Sequence, residues 1–158
     1  MQAEHINPFL RSLSSAFSTM CGCEVRRGQL ARTSSGMRKF PISGVIGLSG
    51  RAVGTVVINL SEEVALKAAS ALLMNECTEI NDDVIDAVGE LANIVAGAAK
   101  AELEEFDLSV SLPNVVTGAD HMIRFPTNAQ PIVVPYESDF GPLQLEVGLE
   151  VVSAPVGA

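Results

Sequence analysis

Apolar residues at helical spacing predict a helix near the start of the chain. They recur about every 3.6 residues after Pro8, at Phe9, Leu10, Leu13, Phe17 and Met20. Asn7 is a good N-cap residue, and proline is tolerated at the first helical position because its missing N–H breaks no bond there. We therefore expect this helix to begin at Asn7 and to end near Gly22, ahead of a polar, basic loop from Gly28 to Gly36.

Two more helices are predicted in the middle of the chain. Ser61 precedes two glutamates, and the apolar spacing that follows continues to about Met74. Asn81 precedes two aspartates, whose charges complement the positive end of a helix dipole. We expect this second, longer helix to reach Glu105 or Phe106.

Segments rich in valine and isoleucine predict strands and two hairpins. Residues 44–60 contain a Ser49-Gly50 turn between two apolar runs, and Ser138-Asp139-Phe140-Gly141 separates two more. The other predicted strands are 24–27, 108–116, 121–125, 130–136 and 142–151. In the last strand, apolar residues alternate with Gln144, Glu146 and Glu150, which predicts one buried face.

The order of these elements predicts the fold class. A helix, a hairpin, two helices and a run of strands ending in a second hairpin indicate an α+β fold. We expect a largely antiparallel sheet with the helices packed on one face, in a single domain spanning residues 1–158. The order helix, strands, hairpin occurs twice and hints at an internal duplication.

The charge balance argues against nucleic acid as a partner. Ten basic and nineteen acidic residues give a net charge of −9, whereas phosphate backbones are bound by clustered lysine and arginine. Basic residues do cluster in one glycine- and serine-containing stretch, at Arg26, Arg27, Arg32, Arg38 and Lys39. A solvated loop is the preferred interpretation of this stretch, and an anion site is the alternative.

Cysteine usage and hydropathy indicate the compartment. Three cysteines without disulfide-framework spacing are typical of a reducing environment. Cys21-Gly22-Cys23 suggests a metal or redox pair, but His5 and His121 do not complete a ligand set, so we expect no metal site. The N-terminus lacks the features of a signal peptide and no segment has the length of a membrane span. We therefore expect a cytoplasmic protein.

Two common catalytic motifs are incomplete. Glycines at positions 44, 47, 50 and 54 resemble a phosphate-binding loop, but the Gly-Lys-Ser/Thr ending is missing, so strand turns explain them better. No Gly-x-Ser-x-Gly elbow occurs, and neither histidine lies near a convincing nucleophile in the sequence, which weighs against an ordinary hydrolase.

The long predicted helix has a polar strip on the side opposite its apolar stripe. Its apolar stripe consists of Val84, Val88, Leu91, Val95 and Ala99. The other side carries Asp86, Glu90, Asn93, Gly97, Lys100 and Glu104, with Glu90 and Asn93 one turn apart. The spacing alone favours two ordinary solvated side chains over a binding site. A second Glu-x-x-Asn, Glu4 to Asn7, is assigned to helix capping.

Longer stretches of the chain resemble a known family in collinear order. They are HINPFL, SGVIGLSGRAVGTVVINL, EEVALKAAS, DVIDAVGELANIVAGAAKAEL, SLPNVVTG and VVPYESDFGPLQLEVGLEV, and they span roughly residues 5 to 150. The chain resembles the CheC/CheX/FliY phosphatase family of bacterial chemotaxis, and within it the CheX type, which has one Glu-x-x-Asn helix.

The resemblance implies a phosphatase that acts on CheY, a response regulator phosphorylated on aspartate. Asn93 would orient the attacking water and Glu90 would dock to a regulator lysine, with Asp86, Gly97 and Lys100 as possible partner contacts. The resemblance also implies a homodimer joined through the sheets and no cofactor of the chain's own, because the regulator would supply Mg²⁺. The alternative is a response-regulator-binding or motor-switch module without catalysis.

Overall fold

The computed structural model describes residues 3–32, 40–125 and 130–152. Its helices are α1 (Ala3–Cys21), α2 (Glu62–Leu73) and α3 (Asp82–Ala101), and α3 is followed by a short 3-10 turn, Glu104–Phe106. Its strands are β1 (Val25–Arg27), β2 (Ala31–Arg32), β3 (Ile42–Ser49), β4 (Ala52–Leu60), β5 (Ser109–Val110), β6 (Asn114–Thr117), β7 (Ile132–Ser138) and β8 (Gly141–Val151).

All described strands join one sheet, and every pairing is antiparallel. The centre of the sheet has the order β7-β8-β4-β3. At one edge β1 and β2 both pair with β7, and at the other edge β5 and β6 both pair with β3. The predicted α+β class with an antiparallel sheet is confirmed.

The topology repeats itself in the two halves of the chain. Each half has a helix, two short strands and a hairpin, and the hairpins meet at the β4–β8 pair. The short strands of each half pair with the hairpin of the other half, so each half supplies the edge strands beside the other half's hairpin. This arrangement has the pseudo-two-fold form that the order of predicted elements hinted at, with α2 as the addition between the halves.

The helices cover one face of the sheet, as predicted. Helix α3 buries all five residues of its predicted apolar stripe, Val84, Val88, Leu91, Val95 and Ala99. It approaches β3 so closely that a Cβ placed on Gly44 would lie 2.9 Å from the Ala92 Cβ. Glycine is therefore required at position 44 for this helix–strand distance, and the buried contact holds α3 rigidly on the sheet.

Helix α1 begins earlier than predicted, at Ala3, so the assignment of Asn7 as its N-cap is wrong. Pro8 lies inside the helix. Tertiary packing explains the extra turn, because Ile6 is buried and the His5 ring packs edge-on against Phe106 at 4.9 Å. The other end agrees with prediction, since Gly22 adopts a positive φ directly after the helix. Met20 was assigned to the apolar face but is 45% exposed.

Other element boundaries also differ from prediction. Helix α3 ends at Ala101 rather than at Glu105 or Phe106, because Leu103 and Phe106 turn inward to join the core. The predicted strand 108–116 is interrupted by Ser111–Pro113, and 121–125 does not form a strand. The N-caps Ser61 and Asn81 are confirmed, since each side chain accepts a hydrogen bond from the backbone N–H three residues later.

The sheet face opposite the helices is partly covered, so the prediction of a single buried face for β8 is wrong. Gln144 and Glu146 point to this second face and are both buried. Their neighbour across the sheet, Asn59, is fully buried and donates to the carbonyls of Phe40 and Ile42 at 2.8 and 3.1 Å. Alternation of polar residues therefore marks the two faces correctly but does not report their exposure.

No helix within the described residues is long and apolar enough to cross a membrane.

Candidate functional site

The polar strip of α3 lies on the exposed side of the helix, as predicted. Asp86, Glu90, Asn93, Gly97 and Lys100 are all exposed. The backbone beneath them is held at its start by the N-cap, where the Asn81 Oδ1 accepts from the Val84 N–H at 3.0 Å, and along its length by the buried stripe. A rigid rod therefore presents these side chains to solvent.

Glu90 and Asn93 have no hydrogen-bond or ion-pair partner among the described parts of the chain. Neither side chain forms a hydrogen bond or salt bridge with another described residue, although both lie in the middle of α3. A carboxylate offers only acceptors, whereas a carboxamide offers two donors and an acceptor. The pair can therefore bind a cation and orient a polar molecule next to it without first breaking an internal contact.

Gly97 leaves a gap in the strip one turn after Asn93. A Cβ placed there would meet nothing within 4 Å, so no packing contact within the domain requires glycine at this position. In a helix interior glycine is less favourable than alanine by about 0.8–1.0 kcal/mol. The absence of a side chain has a use only if another surface approaches the helix here.

A groove of about 720 Å³ begins at Asn93 and follows α3 toward its C-terminal end. Gly97 and Lys100 form one wall, and Asp107 and Val110 form part of the other. At this end Glu102 is held by Arg11, whose Nη2 lies 2.7 Å from its Oε1. The strip is therefore one side of a concave surface that extends beyond the Glu-x-x-Asn pair.

The second Glu-x-x-Asn also lies on a helix, contrary to the capping role assigned to it. Glu4 and Asn7 are both exposed in the first turns of α1. The Glu4 Oε1 is 3.6 Å from the Nε2 of His5. Sequence spacing alone therefore does not separate the two copies.

The structure brings one histidine onto a serine, a contact that the sequence did not indicate. His121 Nε2 lies 2.8 Å from the Ser43 Oγ, and its Nδ1 lies 2.8 Å from the Gly118 carbonyl oxygen. Ser43 is fully buried, and its Oγ also accepts a hydrogen bond from the Asn59 Nδ2 at 2.9 Å. A buried hydroxyl cannot reach a substrate, so this pair ties the segment around His121 to the sheet. The two residues are 78 positions apart, which hid the contact from sequence reasoning.

The basic stretch, for which the sequence leaves a solvated loop and an anion site as alternatives, lies only partly within the described residues. Arg38 and Lys39 lie outside the described residues. Arg26 binds Asp139 through its Nη1 at 3.2 Å. A hydrogen bond from the Glu24 backbone N–H, and then the Arg26 guanidinium, lower the pKa of the Asp139 carboxyl. Arg26 therefore braces the turn of the second hairpin.

The cysteine pair is buried. Burial, followed by the nearby Cys23 thiol, raises the pKa of Cys21 to about 11, which keeps the thiol protonated and unreactive. In the described residues, no three histidine, cysteine, aspartate or glutamate side chains gather in a way that would hold a metal ion.

Comparison with known proteins gives one consistent result. The family model described as "Chemotaxis phosphatase CheX" matches residues 42–137. A relative named CheY-P phosphatase CheX, from Thermotoga maritima, is 30% identical over 127 residues, which are 78% of this chain and 82% of that protein.

Solved structures agree with the computed fold. Chemotaxis protein CheX from Vibrio vulnificus is 33% identical and superposes with a TM-score of 0.86, covering 94% of this chain and 100% of that one. The chain also shares its fold with a structure of a CheX-CheY-BeF3-Mg complex from Borrelia burgdorferi. That match is 24% identical with a TM-score of 0.80, over 94% of this chain and 99% of the other.

Proposed function

Since this chain belongs to the chemotaxis phosphatase CheX family, we propose that it accelerates hydrolysis of the aspartyl phosphate on a CheY-like receiver domain. The Thermotoga maritima relative is named for activity on phosphorylated CheY. One observation carries the proposal for this chain. Glu90 and Asn93 are one helical turn apart and exposed, have no hydrogen-bond or ion-pair partner among the described residues, and lie on a helix whose opposite face is buried.

Asn93 is proposed to orient the attacking water. Hydrolysis of an acyl phosphate needs a water in line with the leaving oxygen, and most of the rate gain comes from positioning and charge stabilisation. The carboxamide can accept a hydrogen bond from the water and donate one to a phosphate oxygen without changing charge. An amide is a poor base, so the role of Asn93 is to position the water.

Glu90 is proposed to pair with a lysine of the receiver domain near the phosphate. The carboxylate is one helical turn from Asn93, so an ion pair there sets where the carboxamide enters the partner's site. Such pairs at a closed interface contribute orientation and specificity more than affinity. This role explains why an acidic residue is useful beside a phosphate that it would otherwise repel.

The divalent metal in this proposal belongs to the receiver domain. Mg²⁺ bound there neutralises the charge that develops on the phosphoryl oxygens. The exposed residues of the α3 strip offer two carboxylates, Asp86 and Glu90, one turn apart, which is fewer oxygen ligands than a protein cage for such an ion needs. The chain's own contribution is therefore Asn93 and Glu90, with Asp86, Gly97 and Lys100 as further contacts.

A homodimer joined through the sheets and a cytoplasmic location complete the proposal. Receiver domains are phosphorylated in the cytoplasm, so the substrate and this chain would meet there. The dimer would have to leave the α3 strip open. In the described structure the strip lies on the helix-covered face, so a contact through the sheet edges or the opposite face satisfies that condition.

A phosphate-release assay tests the function directly. A panel of phosphorylated receiver domains from the same cell is incubated in magnesium buffer with and without the chain. We expect at least one of them to lose phosphate several-fold faster when the chain is present. Unchanged rates across the panel, together with measurable binding to a receiver domain, would instead indicate the non-catalytic regulator-binding module.

A further inference from the structure

Leu112 is a large apolar side chain that the fold holds out into solvent. It is 87% exposed and lies in the three-residue interruption between β5 and β6. Single exposed leucines are common on protein surfaces and usually have no function. The surroundings of this one, however, fix its backbone and place it beside the Glu-x-x-Asn pair.

Hydrogen bonds on the preceding residue fix the backbone of Leu112. The Ser111 backbone N–H donates to the Gly47 carbonyl at 2.9 Å, and the Gly47 N–H donates to the Ser111 Oγ at 2.8 Å. The Ser111 hydroxyl in turn donates to the Leu112 carbonyl at 2.9 Å. The first two bonds attach the segment to β3 and the third fixes the Leu112 carbonyl, so Leu112 is presented from a fixed backbone rather than from a loose loop.

The following residue attaches the segment to α3. A Cβ placed on Gly89 would lie 3.4 Å from the Pro113 Cγ, so the proline ring packs directly over this glycine. On the other side, Val110 lines the same groove as Asn93. Leu112 thus lies between Val110, which lines the groove at Asn93, and Pro113, which packs over α3 at Gly89. Its exposed side chain is therefore held on the segment that flanks this part of α3.

We propose that Leu112 is an apolar docking residue for the receiver domain that presents its phosphate to Asn93. This inference rests on the proposed function and adds the source of binding energy. Burying an exposed leucine contributes affinity, and a backbone that is already fixed loses little conformational freedom on binding. The polar pair then supplies orientation, while Leu112 supplies part of the affinity.

The test compares Leu112→Asn with a matched substitution elsewhere. Met74, the left-handed C-cap residue of α2, is 92% exposed, and asparagine tolerates that backbone conformation. Met74→Asn therefore removes a similar exposed apolar side chain outside the α3 strip. Steady-state dephosphorylation of a receiver domain is measured for both variants and for the unchanged chain, together with binding of a beryllofluoride-activated receiver domain by titration.

We expect Leu112→Asn to raise KM and the titrated Kd by roughly tenfold, as for an interface anchor, with little change in kcat. Met74→Asn should match the unchanged chain, and Leu112→Met should restore most of the binding. Equal KM and Kd for Leu112→Asn and the unchanged chain would overturn the docking role. A loss confined to kcat would also overturn it. If the unchanged chain binds but does not accelerate hydrolysis, the proposed function is wrong, whereas the titration still decides the role of Leu112.

Discussion

Helices α1 and α3 carry the same four-residue motif in different settings. Both open a half of the pseudo-symmetric fold, and they pack against each other. The His5–Phe106 and Arg11–Glu102 contacts join the early part of α1 to the end of α3, so the helices run antiparallel. Each presents an exposed glutamate and an exposed asparagine one turn later. The motif is shared, so any difference in function must come from what surrounds it.

The backbone under the two motifs differs first. Glu4 and Asn7 lie in the first turns of α1, where N–H groups lack helical partners. Pro8 has no N–H to donate to the Glu4 carbonyl four residues earlier, so one further helical bond is missing there. Glu90 and Asn93 lie in the interior of α3, where the helical bonds are complete and the opposite face is buried.

The surface around the motifs differs as well. Arg11, one turn after Asn7, is bound to Glu102 and bridges the two helices. On α3 the residue one turn after Asn93 is Gly97, above open space, and Leu112 lies nearby on a fixed backbone. The copy on α3 is therefore rigid and approachable, whereas the copy on α1 is bordered by an internal ion pair. Four single substitutions and one double substitution test whether these differences in backbone and surroundings determine which copy of the motif is active.

The largest expected effect comes from disrupting the packing of α3 against the sheet. Val88→Asp places an unpaired carboxylate against Gly44 in the buried contact between α3 and β3. We expect a loss of about 4 kcal/mol or more in the free energy of unfolding, a large share of the stability of a typical domain. Thermal unfolding followed by circular dichroism measures it. Ala98→Asp, at an exposed position of the same helix, is the control that should stay folded.

Asn93→Ala should have the next largest effect, on rate alone. Without the carboxamide the water is no longer positioned, and we expect the stimulated dephosphorylation rate to fall about a hundredfold or more. The side chain is exposed and contacts no hydrogen-bond partner in the described part of the chain, so the thermal midpoint should not change. Phosphate release and thermal unfolding are measured on the same preparation. A mutant that releases phosphate at the original rate would contradict the role of Asn93.

Glu90→Ala should weaken docking as well as rate. Without the Glu90 carboxylate, the lysine of the receiver domain would lie unpaired in the closed interface. We therefore expect KM to rise roughly tenfold or more. Glu90→Gln is the matched control that keeps shape and removes charge, and it should behave like Glu90→Ala. If Glu90→Gln instead behaves like the unchanged chain, the contact is a neutral hydrogen bond and the ion pair is rejected.

A substitution at Gly97 should have a smaller effect, raising the stability of the domain while weakening its action on the receiver domain. A side chain at position 97 would extend into open space and would contact nothing in the described part of the domain within 4 Å of its Cβ. Glutamine also favours a helix over glycine by somewhat less than about 1 kcal/mol. We expect Gly97→Gln to raise the thermal midpoint by a few degrees and to raise KM several-fold by obstructing the partner. Ala98→Gln is the control off the strip. An unchanged KM for Gly97→Gln would show that no surface approaches the helix at this point.

These substitutions also separate what could be predicted from the sequence from what could not. The faces of α3 follow from local spacing, and the N-caps Ser61 and Asn81 follow from local chemistry, so both were predictable. The start of α1 was not, because it depends on the packing of His5 against Phe106, about a hundred positions away. Periodic patterns carry no information about which distant element covers a residue.

The candidate site also has a part that could be predicted from the sequence and a part that could not. Glu90 and Asn93 were identified by spacing together with the family resemblance, and their exposure on α3 agrees with that choice. Leu112 was not singled out, because an isolated leucine before a proline has no distinctive pattern. Its position becomes apparent only when Ser111 is seen bonded to Gly47 and Pro113 packed over Gly89. The buried Ser43–His121 contact was missed for the same reason.

The smallest expected effect is the most direct test of the comparison between α1 and α3. Replacing both Glu4 and Asn7 by alanine removes the motif from α1 and leaves Arg11 and Glu102 bound to each other. If the surroundings decide function, KM and kcat should stay within about twofold, the range of ordinary surface substitutions. The same double substitution at Glu90 and Asn93 is the positive control and should bring the rate to background. A comparable loss from both double mutants would mean that α1 carries a second active copy and that backbone rigidity and an open flank are not what distinguishes the site on α3.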